Sequence, residues 1–166
     1  MHLNKQSEAT SKDDPQDIPG VIAPPPLIYA GALAGGLLLH RAFPVKFLPR
    51  AVARVLGATL IGIAGVVVTS AIREMRRADT PVNPTEPTRA LVVKGPFRFT
   101  RNPLYLSLTL LYAGIASFVN ALWAMLLLPV VLIVMNRGVI DREEQYLERK
   151  FGEQYVSYKK RVRRWI

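Results

Sequence analysis

Two charged motifs stand at either end of a long neutral stretch. The first is Gly95-Pro96-Phe97-Arg98-Phe99-Thr100-Arg101-Asn102-Pro103-Leu104-Tyr105; the second is Asp141-Arg142-Glu143-Glu144-Gln145-Tyr146-Leu147, running on into Phe151-Gly152-Glu153-Gln154-Tyr155. Asn102-Pro103 reads as a helix start, because Asn is a favoured N-cap and proline fits a first turn, where its missing N–H would have no partner anyway. The free N–H groups and positive dipole end of such a helix suit a carboxylate or phosphate, and Arg98 and Arg101 beside it strengthen that preference. The same arginines equally suit a plain interfacial anchor. In the second motif, Glu143 and Glu144 fall between Ile140 and Leu147 on a helical pattern and border its inward face. One carboxylate turned to a pocket would balance a cation; a surface ion-pair pattern with Arg142, Glu148 and Lys150 is the plainer use. Adjacent helical residues point about 100° apart, so the two carboxylates are not expected to serve one ligand equally. A ligand with a carboxylate, an ammonium and a sulfonium would match the two ends, and Phe97, Phe99 and Tyr105 offer stacking or cation–π contacts.

These motifs work together only if the chain between them folds back. Residues 102–136 carry no charged side chain. As one helix they would run about 50 Å, well past a bilayer core of about 30 Å, so a hairpin is expected. Ser117-Phe118-Val119-Asn120 is the polar interruption near the middle and the expected turn. A hairpin that enters and leaves a membrane on one side makes its two flanking motifs neighbours. Two further spans are expected before it: Pro26 to Phe43, with Gly31, Gly35 and Gly36 suited to close helix contact, and Val55 to Ile72, free of charge. The first has a short core, and a tilted or re-entrant segment fits it too. With four spans, the N-terminal tail, the 73–101 loop and the C-terminal tail share a side that holds eighteen of the 22 Lys and Arg residues. Arg41, Lys46, Arg50 and Arg54 are the other four. The positive-inside rule then puts both motifs and both termini in the cytoplasm.

The expected organisation is therefore an all-α, polytopic membrane bundle: a polar, proline-rich tail over 1–25, the first two spans over 26–77, and a core over 78–166 that contains the hairpin and C-terminal amphipathic helices. Most of the tail is expected to be mobile, and Thr80–Thr88, with Pro81, Pro84 and Pro87, to be a stiff extended connector. Ile140, Leu147 and Phe151 share one helix face that Gly152 ends. Tyr155, Tyr158, Val162 and Trp165 share a side of a second helix, ringed by Lys159, Lys160, Arg161, Arg163 and Arg164, a pattern that suits an anionic membrane surface. Half of the residues are hydrophobic while the net charge is +10. The two properties occupy different segments, so nucleic acid is not the expected partner. The absence of cysteine excludes disulfides and thiolate metal sites, and His2 and His40 have no metal-ligand spacing.

The run from Leu91 to Tyr105, followed by Glu143-Glu144 and Phe151-Gly152-Glu153-Gln154-Tyr155, resembles the isoprenylcysteine carboxyl methyltransferases and the related membrane methyltransferases of phospholipids. Their hallmark is Arg-His-Pro-x-Tyr and, after a hairpin, Glu-Glu. The resemblance covers roughly residues 78–165. It implies S-adenosylmethionine as methyl donor, in a cytoplasmic pocket closed by the C-terminal helices and formed by Leu91, Val92, Phe97 (where the family often has Tyr), Asn102, Pro103, Leu104, Tyr105 and Glu143. Asn102 replaces the family's His; it can hydrogen-bond but does not titrate near neutral pH. Methyl transfer is an in-line displacement that needs positioning and desolvation more than acid–base help, so the change bears on the acceptor more than on the donor. The implied acceptor is lipophilic, with a carboxylate, thiol or amine as its reacting group. No catalytic residue is fixed; Arg137, Arg142 and Glu144 are the candidates, the arginines for steering an acidic acceptor. A membrane reductase of the sterol-reductase type, using a nicotinamide cofactor, and a non-catalytic lipid-binding protein are the alternatives.

Overall fold

A computed structural model describes residues 18–83 and 86–166; the expectations for residues 1–17, and for Pro84 within the connector, lie outside the described residues. Among the described residues all regular structure is helical, without a strand. It forms α1 (Pro25–Ala42), α2 (Arg50–Arg77), α3 (Pro103–Val119), α4 (Leu122–Met135), α5 (Asp141–Phe151) and α6 (Glu153–Arg161). Proline starts two of these helices, at the N-terminus of α1 and of α3, where it removes no helical hydrogen bond.

The bundle is held by close backbone approach. Along the buried side of α2 run Ala53, Gly57, Ala64 and Ala71. Here α3 lies so near that a Cβ on Gly57 would stand 2.6 Å from the Phe118 nitrogen and 2.7 Å from the Gly114 oxygen. On the other flank Gly36 of α1 packs on Ala124 of α4. Small residues at helix crossings let backbones approach closely, which is how helices associate in lipid. Outside, large aliphatic side chains are open: Leu38, Val55 and Val66 are each 68% exposed, and Leu126, Val130 and Ile133 55–56%. An exposed apolar belt around helices that cross at small residues suits a protein solvated by hydrocarbon. Among the described residues, two helices are long and apolar enough to cross a bilayer, Arg50–Arg77 and the continuous helix Leu122–Phe151; α3 is apolar but shorter.

The hairpin turns where its polar residues lie. Asn120 takes left-handed backbone (φ 62°), tolerated by Asn. Its side chain also ties down the loop after α1, accepting from the Phe47 and Leu48 amides and donating to the Leu48 carbonyl. At the other end the structure departs from the expected boundary. The helix does not stop at the first charge but passes through a π turn at Asn136–Ile140 directly into α5. Gly152, at φ +51°, then ends α5 as expected. Of α6 only the first part is as expected. Tyr155 and Tyr158 are buried, but Val162 is extended and Trp165 lies beyond the helix, its indole donating to Asn136. The N-terminal segment likewise differs from a mobile tail over 18–24, because it is docked against the π turn.

Candidate functional site

A cavity of about 520 Å³ opens at the end of the bundle that carries both motifs. Its walls come from the start of α1, the last turns of α2, the connector, the start of α3, and α5 and α6. The connector reaches it because Thr80 is a hub: its hydroxyl accepts from the Arg89 and Ala90 amides. Gly95 (φ +59°) turns the chain against Glu74 of α2, whose Cγ would lie 2.7 Å from an added Cβ. Leu91, Val92, Phe97, Asn102, Pro103, Leu104, Tyr105 and Glu143 all line this cavity, as does Glu144. Arg137 and Arg142 do not: Arg137 is exposed at the π turn, and Arg142 donates to the Gly20 carbonyl on the outside.

The two glutamates divide as their helical angle requires. Glu143 accepts a 2.8 Å hydrogen bond from the Tyr105 hydroxyl, joining the two motifs across 38 residues. Burial pushes its carboxyl up to about 7, against the lowering effect of that hydrogen bond and with a further push from the Glu144 charge. Glu144 is buried and fully engaged by cations. Arg164 grips it with two hydrogen bonds of 3.0 and 2.9 Å, and Arg101 stands 3.1 Å from the same carboxylate. Arg164 also reaches Asp141 at 2.9 Å, and these partners hold its guanidinium above the ordinary range. With both oxygens occupied, Glu144 is an organiser of the C-terminal segment rather than a free base.

That segment forms a roof. Asn102 Nδ2 and Thr100 Oγ1 both donate to the Arg164 carbonyl, the Arg101 amide to the Arg163 carbonyl, and the Tyr158 hydroxyl to the Phe97 carbonyl at 2.7 Å. Asn102 therefore sits at the N-cap of α3 without capping it by its side chain; its amide is spent on the roof. Burial raises the Tyr155 and Tyr158 phenols, so both stay neutral and act as hydrogen-bonding groups. The basic tail offers five similar residues in sequence, and nothing in their spacing marks Arg164 as the one that turns inward. Pro24–Pro26 and Val68, Ile72 and Met75 of α2 also line the cavity from outside the 78–166 segment, and their apolar character in a span-like run carries no local signal.

Arg101 lines the cavity with hydrogen-bonding capacity to spare. Its side chain is 9% exposed, and although Nη2 pairs with Glu144, Nε and Nη1 have no hydrogen-bond partner among the described residues. Buried guanidinium N–H groups are costly to leave unpaired, so they point to an anionic ligand. A cavity lined by Arg101, which keeps two unpaired N–H positions beside its ion pair with Glu144, by the Glu143 carboxylate, and by Val68, Ile72, Leu104 and Leu108, suits a zwitterionic molecule beside a hydrocarbon.

Fold and site together define a helical membrane protein with a ligand cavity at one end of its bundle. The chain belongs to the phospholipid methyltransferase family, whose model matches residues 52–154. It is also similar to a protein of uncharacterised function from Haemophilus influenzae, at 41% identity over 63 residues, 38% of this chain and all of that one. No solved structure matches the chain.

Proposed function

We propose that this chain is a multi-pass membrane methyltransferase that takes its methyl group from S-adenosylmethionine and delivers it to a lipophilic acceptor at the cytoplasmic face. The observation that carries the reading is that the two motifs meet in one cavity lined by the Glu143 carboxylate and by a guanidinium, Arg101, whose Nε and Nη1 are unpaired among the described residues. Arg101 would pair with the donor's carboxylate, and Glu143, oriented by Tyr105, with its cationic part; the sulfonium supplies the electrophilic methyl. The aromatic roof of Tyr155 and Tyr158 would exclude water, which strengthens both charge contacts and prevents loss of the methyl to solvent. Asn102 contributes by holding the roof shut, a task an amide performs as well as an imidazole. The family match supports a phospholipid amine as acceptor, with a lipid thiol or an isoprenylcysteine-like carboxylate as the other chemistries.

Four spans follow from the same reading, with α1 and α3 crossing beside the two longer helices. The exposed Lys160, Arg161 and Arg163, next to the open side chains of Phe99 (76% exposed) and Ile166 (78%), would then lie at the headgroups, where anionic lipid favours them.

Isothermal titration of the detergent-purified protein with S-adenosylhomocysteine tests the donor site. Binding in the micromolar range is expected, with at least a tenfold loss in Arg101→Ala, which removes a charge-assisted pair worth about 1.5–3 kcal/mol. Heat with NADPH instead would establish the reductase alternative.

A further inference from the structure

The family match begins at residue 52, yet the cavity wall begins at residue 24. Residues 19–24, just before α1, are not a loose tail but a strap laid across the π turn between α4 and α5. Pro19 is buried, and the Gly20 carbonyl accepts from Arg142 Nη1 at 2.8 Å. The Ile22 amide donates to the Gly138 carbonyl at 3.3 Å, and the Ile22 side chain lies on Gly138 itself, where an added Cβ would stand 2.9 Å from Ile22 Cγ1. Val21 packs on the core. From this anchorage the chain turns into α1 through Pro24, Pro25 and Pro26, which face into the cavity.

What those three prolines can offer a ligand is narrow. Proline has no backbone N–H and an aliphatic ring, so the wall supplies dispersion contact and no donor. It shares the cavity with Val68 and Ile72 of α2 and Leu108 of α3, whose helices carry the exposed apolar belt. The polar end, with Arg101 and Glu143, is built from the other elements.

Resting on the methyltransferase reading above, we infer that the 19–26 strap is the specificity wall of the acceptor site, confining the hydrocarbon part of the lipid while leaving the donor site untouched. A rigid proline wall sets the length and thickness of chain that packs against it, because a stiff wall does not remodel around a longer occupant. The described polar contacts that hold the strap come from the π turn and Arg142, outside the cavity, so it can be loosened without dismantling the bundle.

Two variants undo the clip from opposite sides. Gly138→Val drives a side chain into Ile22, and Arg142→Ala removes the bond to Gly20 from a residue outside the cavity; the second guards against misfolding of the first. The acceptor probes are phosphatidylethanolamines with 8-, 12- and 16-carbon chains and S-farnesylcysteine. In both variants the Kd for S-adenosylhomocysteine is expected to stay within twofold of wild type, while the acceptor KM rises at least fivefold and the preference among chain lengths flattens. Unchanged acceptor kinetics, or loss of S-adenosylhomocysteine binding in both variants, would overturn the inference. A second measurement does not depend on turnover. The chain has no cysteine, so Pro26→Cys carries a unique thiol whose reaction with N-ethylmaleimide in detergent should be slowed by the lipid probes and not by S-adenosylhomocysteine. Slowing by S-adenosylhomocysteine alone, or by no lipid probe, would overturn it too. A wild-type chain that binds no S-adenosylhomocysteine defeats the donor reading, whereas protection of position 26 by lipid still decides the wall.

Discussion

Glu143 and Glu144 are chemically identical neighbours that the fold gives opposite conditions. Glu144 meets three cationic side chains, Arg101, Arg164 and, at 3.9 Å, Lys159. Glu143 meets a phenol and a cavity, so its neutral form is favoured until about pH 7. Because its folded value lies above the ordinary 4.5, the stability this group contributes is fully present below about pH 4.5 and is lost as pH rises to about 7. A ligand cation reverses the preference, since it pairs only with the ionised form. The affinity for S-adenosylhomocysteine, titrated calorimetrically, should therefore fall as pH drops below 7, approaching tenfold per unit, with proton release on binding. In Glu143→Gln the pH dependence should flatten and the affinity at pH 8 fall about tenfold or more. A Gln variant with the wild-type profile would mean that Glu143 does not face the bound cation.

At the scale of elements, the site exists because α2 and α3 touch. The last turns of α2 and the first turns of α3 are adjacent cavity walls, and their spacing is set about three to five turns away at Gly57 of α2 and about two to three turns away at Gly114 of α3. Gly57→Leu forces overpacking against backbone atoms that cannot rotate aside, and a loss of about 1–3 kcal/mol is expected, read as a lowered Tm in detergent together with weaker S-adenosylhomocysteine binding. Gly62→Leu is the matched control: nothing lies within 4 Å of an added Cβ there, so its Tm should stay near wild type. Much of this arrangement was legible in the sequence, and for definite reasons. The neutral run of residues 102–136 is too long for one span, and Asn120 is both polar and suited to left-handed backbone, so the turn falls there. Gly152 ends α5 for the same kind of reason. The π turn was not legible, because a shift in backbone hydrogen bonding needs no particular residue and the charge at Arg137 mimics a helix end. Asn102 was legible as a helix start but not as a roof clasp, since its partner is a backbone carbonyl 62 residues away. The strap was missed because its proline-rich composition is shared with unstructured tails, and only the glycine at position 138 makes room for it.

For the whole molecule, the arrangement of charge follows from where water is. The bundle exposes many large aliphatic side chains along its sides and places small residues where helices cross, and its ends carry the ions. At one end lie the cavity, the Glu144 cluster and most of the basic residues. The other end is the loop after α1, which Asn120 pins to the hairpin turn through both its amide atoms, so Lys46 shares an end with residue 120, while Lys94 precedes Gly95, which packs on Glu74 near the end of α2 that bears the cavity. Four spans put these two lysines on opposite faces of the membrane; a re-entrant α1 or a shallow hairpin would not. Lys46, Lys94 and Lys160 are all exposed, and the chain is free of cysteine, so each can be changed singly to Cys and probed with a membrane-impermeant maleimide. On sealed inside-out vesicles, Lys94→Cys and Lys160→Cys should label fully, and Lys46→Cys only after the vesicles are opened with detergent. Labelling of all three from one side would sink the four-span topology and, with it, the reason for the two motifs to be neighbours at a cytoplasmic surface. Lys46, in the loop that holds the minority of basic residues, is the stringent position: the excess of basic residues on the other side predicts that its charge is carried across the membrane.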